Sequence, residues 1–368
     1  MSSGHPSNTG RARPGSTPGK SGERPHKRSY PADVAAPALP PTLLRRPMHP
    51  GDAARWADLL EAVEEADRRG EHYDAVDCAE ELVDPELDLD RDTTFVLDAA
   101  GAPVAYQVLR MRSGTALGAR VVTDAGVHPA HRRQGIGRAL LAVAVQRARE
   151  KGASVEMRVA ETSPGAVALA ERAGMTPLRW WSELVRDLAE PVAPVAQPAG
   201  LTLVPLATGG QYQAARWDEP LRAAHNAAFA DHWGSTPVSA TRWEYQRTGG
   251  RAFRPSCSAV ALAADGTIAG YVLAYEYAAD TERTGRRDLY VGMVGTLAAY
   301  RGQGVAGALL AHVLQAAADS GYDDSSLTVD AQNATGALGV YERAGYRLHR
   351  REVTYSLPAA TLATRAVP

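Results

Sequence analysis

The sequence predicts an α+β protein made of two tandem copies of one fold. Three observations carry that reading. A chain of 368 residues has room for two domains of ordinary size, each burying its own core. The segment Gln134-Gly135-Ile136-Gly137-Arg138-Ala139-Leu140-Leu141-Ala142 returns as Gln303-Gly304-Val305-Ala306-Gly307-Ala308-Leu309-Leu310-Ala311, identical at six of nine positions and displaced from Gly135 to Gly304 by 169 residues. Downstream, Glu171-Arg172-Ala173-Gly174 returns as Glu342-Arg343-Ala344-Gly345, displaced by 171 residues. Repeats this far apart mark a duplicated domain, and in both copies helical periodicity, β-type runs, a glycine turn and a second helix follow in the same order.

Taken from the N-terminus, residues 1–40 are rich in Ser, Gly, Pro, Lys and Arg and nearly free of large apolar side chains, so they read as a disordered tail. Ala53 to Arg69 places Trp56, Leu59, Leu60 and Val63 at helical spacing and stops before Gly70. Thr94 to Leu97 and Val104 to Arg112 read as strands joined through Ala100-Gly101-Ala102, and a further strand precedes Val127-His128-Pro129. Prolines at 191, 194 and 198 suit a semi-rigid spacer over 190–199. The expected domains are therefore 41–189 and 200–358, with a short tail over 359–368. In the second copy a helical part runs through Trp243, followed by strands over Ser258 to Leu262, Thr267 to Tyr277 and Asp288 to Thr296.

Composition removes several classes of function. A formal charge of −2 offers no field for nucleic acid or an anionic membrane. The apolar runs fall well short of the roughly 20 residues that span a bilayer. Only Cys78 and Cys257 are present, too few for a disulfide scaffold or a zinc site and suited to a reducing cytosol, so a cytoplasmic protein is expected. His225, Asp231 and His232 do not have zinc-helix spacing, and no metal is expected. Oligomeric state is not fixed by the sequence; a monomer is compatible with it.

In each copy a β-run leads into a basic, glycine-rich turn and then a helix. Such a turn is an anion site, because glycines let backbone approach the ligand closely and the helix start offers unpaired N–H groups. Arg132, Arg133 and Arg301 add positive charge. Gly302-Gln303-Gly304-Val305-Ala306-Gly307 formally spells a dinucleotide-binding motif, but the first copy has Leu140 where its third glycine belongs. Both turns also follow several strands, whereas a dinucleotide fold places its turn after the first. The pattern shared by both copies is Arg-x-x-Gly-x-Gly/Ala, as Arg132, Gly135 and Gly137 and as Arg301, Gly304 and Ala306.

With these turns the chain resembles the GNAT acetyltransferase superfamily over both halves. The duplication and Tyr290-Val291-Gly292 bring it nearest to mycothiol synthase-like tandem acetyltransferases. Val127-His128-Pro129 is similar to the usual lead-in, whereas Thr296-Leu297-Ala298-Ala299-Tyr300 departs from it. The resemblance implies two mixed, largely antiparallel sheets flanked by helices, and acetyl-CoA as cofactor. It implies pyrophosphate contacts from Arg301, Gly302, Gln303, Gly304, Val305 and Ala306, and in the first copy from Arg132, Arg133, Gln134, Gly135, Ile136 and Gly137. Met293, Val294 and Thr296 would offer the strand edge that pairs with the pantetheine. An acceptor amine would attack the thioester directly, its oxyanion steadied by a backbone N–H.

Asn333 to Gly345 reads as a helix with Asn333 as N-cap and Gly345 as stop. Tyr341, eight residues after Asn333, then lies within about 80° of it around the helix. The resemblance gives Asn333 to the cofactor site and makes Tyr341 the acid that protonates the leaving thiolate. The first copy has Ala170 at that place, with no Tyr, Ser or Cys between Pro164 and Met175, and reads as degenerate. Asp288 shares a strand face with Tyr290 and Gly292 and is the first candidate for the base. Glu276 and an ordered water are the others. His225, Phe229, His232 and Trp233 fall where the family roofs its acceptor site. The expected function is acetyl transfer to a primary amine of a small molecule. Protein acetylation and a non-catalytic acetyl-CoA sensor are the competing readings.

Overall fold

The computed structural model describes residues 39–113, 118–208, 211–230, 232–333 and 336–363. The N-terminal tail expected over 1–40 lies almost wholly outside them. The first half runs β1 (Leu44–Arg46), α1 (Ala53–Asp67), α2 (Ala75–Leu82), α3 (Leu89–Asp92), β2 (Thr93–Leu97), β3 (Pro103–Arg112), β4 (Arg120–Val127), α4 (Ile136–Lys151), β5 (Ser154–Ala160), α5 (Pro164–Arg172) and β6 (Thr176–Asp187). The second runs β7 (Leu201–Pro205), β8 (Ala207–Thr208), β9 (Gln211–Tyr212), α6 (Ala214–Ala228), α7 (Ala240–Trp243), β10 (Ala259–Ala263), β11 (Ile268–Tyr275), α8 (Ala278–Thr284), β12 (Asp288–Thr296), α9 (Val305–Asp319), β13 (Asp324–Asp330), α10 (Ala337–Arg343), β14 (Arg347–Leu357) and α11 (Ala359–Ala363).

Local chemistry sets most boundaries. α1 buries Trp56, Leu59 and Val63 against Phe95 and Tyr106, and stops where Arg68 turns left-handed and its N–H closes on the Glu64 carbonyl. Asp74 caps α2 by accepting from the amides of Val76 and Asp77. The strand read over Thr267 to Tyr277 stops at Tyr275, because Ala278 opens α8, a helix with no apolar periodicity to announce it. α11 occupies 359–363, where a tail was expected, and buries Leu362 in the first half's core.

Twelve strands form one sheet in the order β1-β2-β3-β4-β5-β14-β6-β13-β12-β11-β10-β7. The two halves are thus joined edge to edge, with their last strands exchanged. β14, from the second half, pairs antiparallel with β5 of the first, Glu352 opposite Ala160 through Leu357 opposite Val155. β6, from the first half, pairs antiparallel with β13 of the second, Asp324 opposite Asp187 through Asp330 opposite Trp181. The cores follow the strands. Val353, Tyr355 and Leu357 of β14 pack with Leu141, Val155 and Met175, while Leu184 of β6 packs with Leu289, Leu309 and Leu327. Between β6 and β7 the chain has no regular element and is held by Arg186, which donates to the carbonyls of Glu190 and Pro191.

One feature of this sheet positions the site. β12 runs parallel to β13 only from Asp288 to Tyr290, then continues to Thr296 paired with β11 alone. The strands diverge there, leaving Met293 to Thr296 with one unpaired edge. A bulge at Gly292 marks the divergence. Glycine is required at this position, since a Cβ would lie 2.6 Å from the Tyr275 ring. In the first half β4 likewise leaves β5 after Thr123, but its pairing with β3 runs without a bulge.

Candidate active site

Each diverging pair of strands leads into a glycine turn at the start of a long helix. Gly135 (φ 86°) and Gly304 (φ 80°) are the N-caps of α4 and α9, and among the described residues no side chain caps either helix. Both glycines are exposed, and a Cβ built on either, or on Gly302, meets nothing within 4 Å. The open turn and its uncapped N–H groups, beside a strand edge with no partner, fit a pyrophosphate and a pantetheine arm.

The two turns differ in charge. Arg132 is neutralised by Asp67, the last residue of α1, at 2.6 and 2.9 Å. Arg301, its counterpart, meets only carbonyls among the described residues: Ala228, the last residue of α6, at 2.9 Å and Thr296 at 3.3 Å. Among the described residues, then, the first turn's arginine is paired with a carboxylate and the second turn's is not. Arg133, in the first turn, adopts the left-handed conformation (φ 66°) that Gly302 adopts in the second.

Asp288 opens β12, just before the divergence. The Ser326 hydroxyl donates to its Oδ2, and its Oδ1 is buried with no partner among the described residues. Burial pushes the carboxyl up to about 7, reinforced by Asp324, Asp280 and Glu183 and opposed by the Ser326 bond. Such a group exchanges protons at neutral pH. Glu276 behaves in the opposite way. Although burial works against its charge, hydrogen bonds from Arg287, Tyr322 and Arg254 hold it down to about 2, which makes it a structural anion rather than a base.

Tyr341, on α10, packs edge-on to Tyr346 with ring centroids 6.2 Å apart, and its hydroxyl has no hydrogen-bond partner among the described residues. Burial, then the neighbouring Tyr290, pushes the phenol up to about 12, so it holds its proton at neutral pH. Asn333 is not the cap of this helix. Gly336 (φ 73°) is the N-cap and α10 begins at Ala337, leaving Asn333 half-buried in the connection from β13, its N–H donating to the Asp330 carbonyl at 3.1 Å.

By strand register, Arg120 of β4 stands where Asp288 stands, and Glu156 of β5 where Ser326 stands. These two form a buried ion pair at 3.1 Å. Ala170, fully buried, occupies the place of Tyr341. The first half thus has neither a carboxyl nor a phenol at these two places, and a loop of the second half packs against its Arg120. Trp233 lies under Arg120 (5.5 Å) and Arg179 (4.8 Å), and Arg120 donates to the Gly234 carbonyl at 2.8 Å.

Of the residues expected to roof the acceptor site, His225, Phe229 and His232 form one run of ring contacts, Phe229 lying 4.7 Å from His225 and 5.3 Å from His232, while Trp233 stands apart beside Arg120 and Arg179. His225 is 5% exposed, bonded to the Tyr271 hydroxyl at 2.7 Å and stacked on Phe229. Burial and then Arg247 and Arg242 hold its imidazole at about 4, so it stays neutral. His232 bonds its neighbour's carbonyl, and Trp233 faces the first half. The face that does flank Asp288 and Tyr290 is shared between the halves and was not visible in the sequence. There Arg69 meets Glu71 (3.2 Å) and Glu352 (3.4 Å), Arg158 meets Glu352 (2.5 Å), and Arg350 meets Glu183 (2.5 Å). Tyr290, raised first by burial, also feels Glu183 and Glu71. No spacing in the sequence links positions so far apart.

Among the described residues no cluster of His, Cys, Asp or Glu could hold a metal, and no helix is long and apolar enough to cross a membrane. Cys78 and Cys257 are buried and unbridged.

Comparison with known proteins agrees with this architecture. The sequence profile of the acetyltransferase (GNAT) family matches residues 56–175 and again 219–346. The chain is 31% identical over 245 residues to the mycothiol acetyltransferase of Tsukamurella paurometabola, covering 63% of this chain and 77% of that one. It is 33% identical over 278 residues to that of Clavibacter sepedonicus, covering 72% and 84%. Among solved structures, a GCN5-related N-acetyltransferase from Sphaerobacter thermophilus superposes with a TM-score of 0.66 at 25% identity, covering 88% of this chain and 97% of the other. A tandem GNAT protein from the clavulanic acid biosynthesis pathway shares the fold, with a TM-score of 0.67 at 22% identity over 86% of this chain and 98% of the other. Two matched family segments in one chain, each carrying the glycine turn, identify it as a tandem acyltransferase of the GNAT family.

Proposed function

We propose that the protein transfers the acetyl group of acetyl-CoA directly to a primary amine of a small molecule, with the chemistry in its second half. One observation carries this reading. Asp288 opens β12 where it still pairs with β13, Tyr341 lies beside Tyr290 two residues on, and their counterparts in the first half are Arg120 and Ala170, neither able to do the same work.

Gly302, Gln303, Gly304, Val305 and Ala306 would hold the pyrophosphate with Arg301 beside them. The unpaired edge from Met293 to Thr296 would hold the pantetheine. When bound, acetyl-CoA supplies an activated acetyl group and a sulfur leaving group. Asp288 takes a proton at Oδ1 from the attacking amine, a task suited to a carboxyl raised to about 7. Tyr341 holds its hydroxyl proton at neutral pH, being raised to about 12, and gives it to the sulfur as the C–S bond breaks, regaining one from solvent afterwards. The charged face shared by the two halves, with Glu71, Glu183 and Arg158, suits a polar acceptor. The relatives' name, mycothiol acetyltransferase, supports a small molecule over a protein.

The test is thiol release from acetyl-CoA against a panel of small amines and amine-bearing peptides, with Asp288→Asn and Tyr341→Phe alongside. Release with a small amine, lost in Asp288→Asn, supports the proposal. Release with peptides alone would favour protein acetylation, and binding without release would favour a sensor.

A further inference from the structure

We infer that Ser326 is a positioning residue for Asp288, holding the carboxylate by one oxygen and leaving the other to take a proton. The inference rests on Asp288 acting as the base. Ser326 sits on β13 opposite Tyr290, the last position at which β12 and β13 still pair. Its hydroxyl donates to Oδ2 of Asp288, and Oδ1 is buried without a partner among the described residues. A carboxylate held at one oxygen keeps a fixed rotamer and leaves the lone pairs of the other oxygen for proton abstraction.

The surroundings leave this work to Ser326. The charged groups acting on Asp288 are Asp324 from β13, Asp280 from α8 and Glu183 from β6, all acidic. Two of them are committed to arginines, Asp324 to Arg286 and Glu183 to Arg350, and Asp280 accepts from the His72 amide. The phenols of Tyr290 and Tyr346 complete the set, Tyr346 being bonded to the neighbouring Ser325. The serine hydroxyl is therefore the donor that favours the ionised form of Asp288. The first half supplies an internal control on geometry. At the same register Arg120 and Glu156 meet at 3.1 Å, so side chains at these two positions touch in both halves, and only the second half uses them to hold a carboxylate.

The test is the pH dependence of kcat/KM for the full chain and for Ser326→Ala, Ser326→Cys, Ser326→Thr and Asp288→Asn. Losing a hydrogen bond to a charged group should move the acid limb of Ser326→Ala up by about one pH unit. Activity at pH 7 should then fall about fivefold and recover near pH 9, with the KM for acetyl-CoA within about twofold of the parent. Cysteine, a weaker donor of similar shape, should give a smaller shift and serves if the alanine variant does not fold. Threonine keeps the hydroxyl and should restore the parent limb. An unmoved limb in folded Ser326→Ala or Ser326→Cys, with Asp288→Asn inactive, overturns the role of Ser326 and spares Asp288. Loss at every pH without recovery assigns Ser326 to packing and also overturns it. Full activity in Asp288→Asn overturns both readings together.

Discussion

Gly135→Glu and Gly304→Glu form a matched pair. The two glycines have nearly the same φ, 86° and 80°, both are exposed, and a Cβ at either meets nothing within 4 Å. The strain of a side chain in left-handed backbone, ~1–2 kcal/mol, is therefore common to both, and each melting temperature should fall by only a few degrees. What differs is the cleft each turn serves. A carboxylate about 5 Å from one pyrophosphate charge costs roughly 3 kcal/mol at an effective dielectric of about 20, or about 10²-fold in acetyl-CoA affinity. Gly304→Glu should show that loss in the KM for acetyl-CoA. Gly135→Glu should keep turnover within about threefold of the parent, because the two turns lie far apart and do not share partners. The assay is initial-rate thiol release at saturating amine, after circular dichroism and a cooperative melt show both variants folded. Loss of transfer in Gly135→Glu with Gly304→Glu spared would refute the assignment of chemistry to the second half.

Tyr341→Phe should lower kcat by about 10²-fold with acetyl-CoA binding unchanged, read by steady-state kinetics beside calorimetric titration; an undiminished kcat would show that another group protonates the sulfur. Asp288→Asn should melt higher than the parent at pH 8. The folded pKa of Asp288 is raised to about 7, so its stabilising protonated form is complete below the unfolded carboxyl pKa of ~3.9 and lost as pH rises through 7. The gain should vanish near pH 4, and a variant melting lower at pH 8 would contradict the burial argument. Trp233→Ala should cost about 2 kcal/mol in urea unfolding, since it empties the socket between Arg120 and Arg179. A loss below about 0.5 kcal/mol, the usual range for surface changes, would mean the indole is not held there.

What the sequence disclosed was local. The glycine turns and the strand from Asp288 to Thr296 were legible because turn chemistry and alternation operate over a few residues. α8 was missed because Ala278 to Thr284 carries no apolar stripe. Asn333 is by type a good cap, yet Gly336, three residues on, is where the backbone turns into the helix. The pairings that distinguish the two clefts join distant positions: Asp67 with Arg132, Arg120 with Glu156, and Trp233 with Arg179. Each involves residue types common on any surface, so spacing gives no sign of them. The exchange of β6 and β14 was hidden for a related reason. An alternating strand records which of its faces is buried, and not which neighbour lies at its edge.

That exchange ties the order of synthesis to the order of folding. The first half's core is completed by Val353, Tyr355 and Leu357, which are made long after the rest of that core. From the end of β6 at Asp187 to the end of β14 at Leu357 a further 170 residues must be made, roughly 10–30 s at the usual rates. Throughout that interval the edge of β5 has no native partner and stands open to any other strand in reach. Slowing translation after residue 187 prolongs that exposure and should lower the yield of active protein rather than raise it.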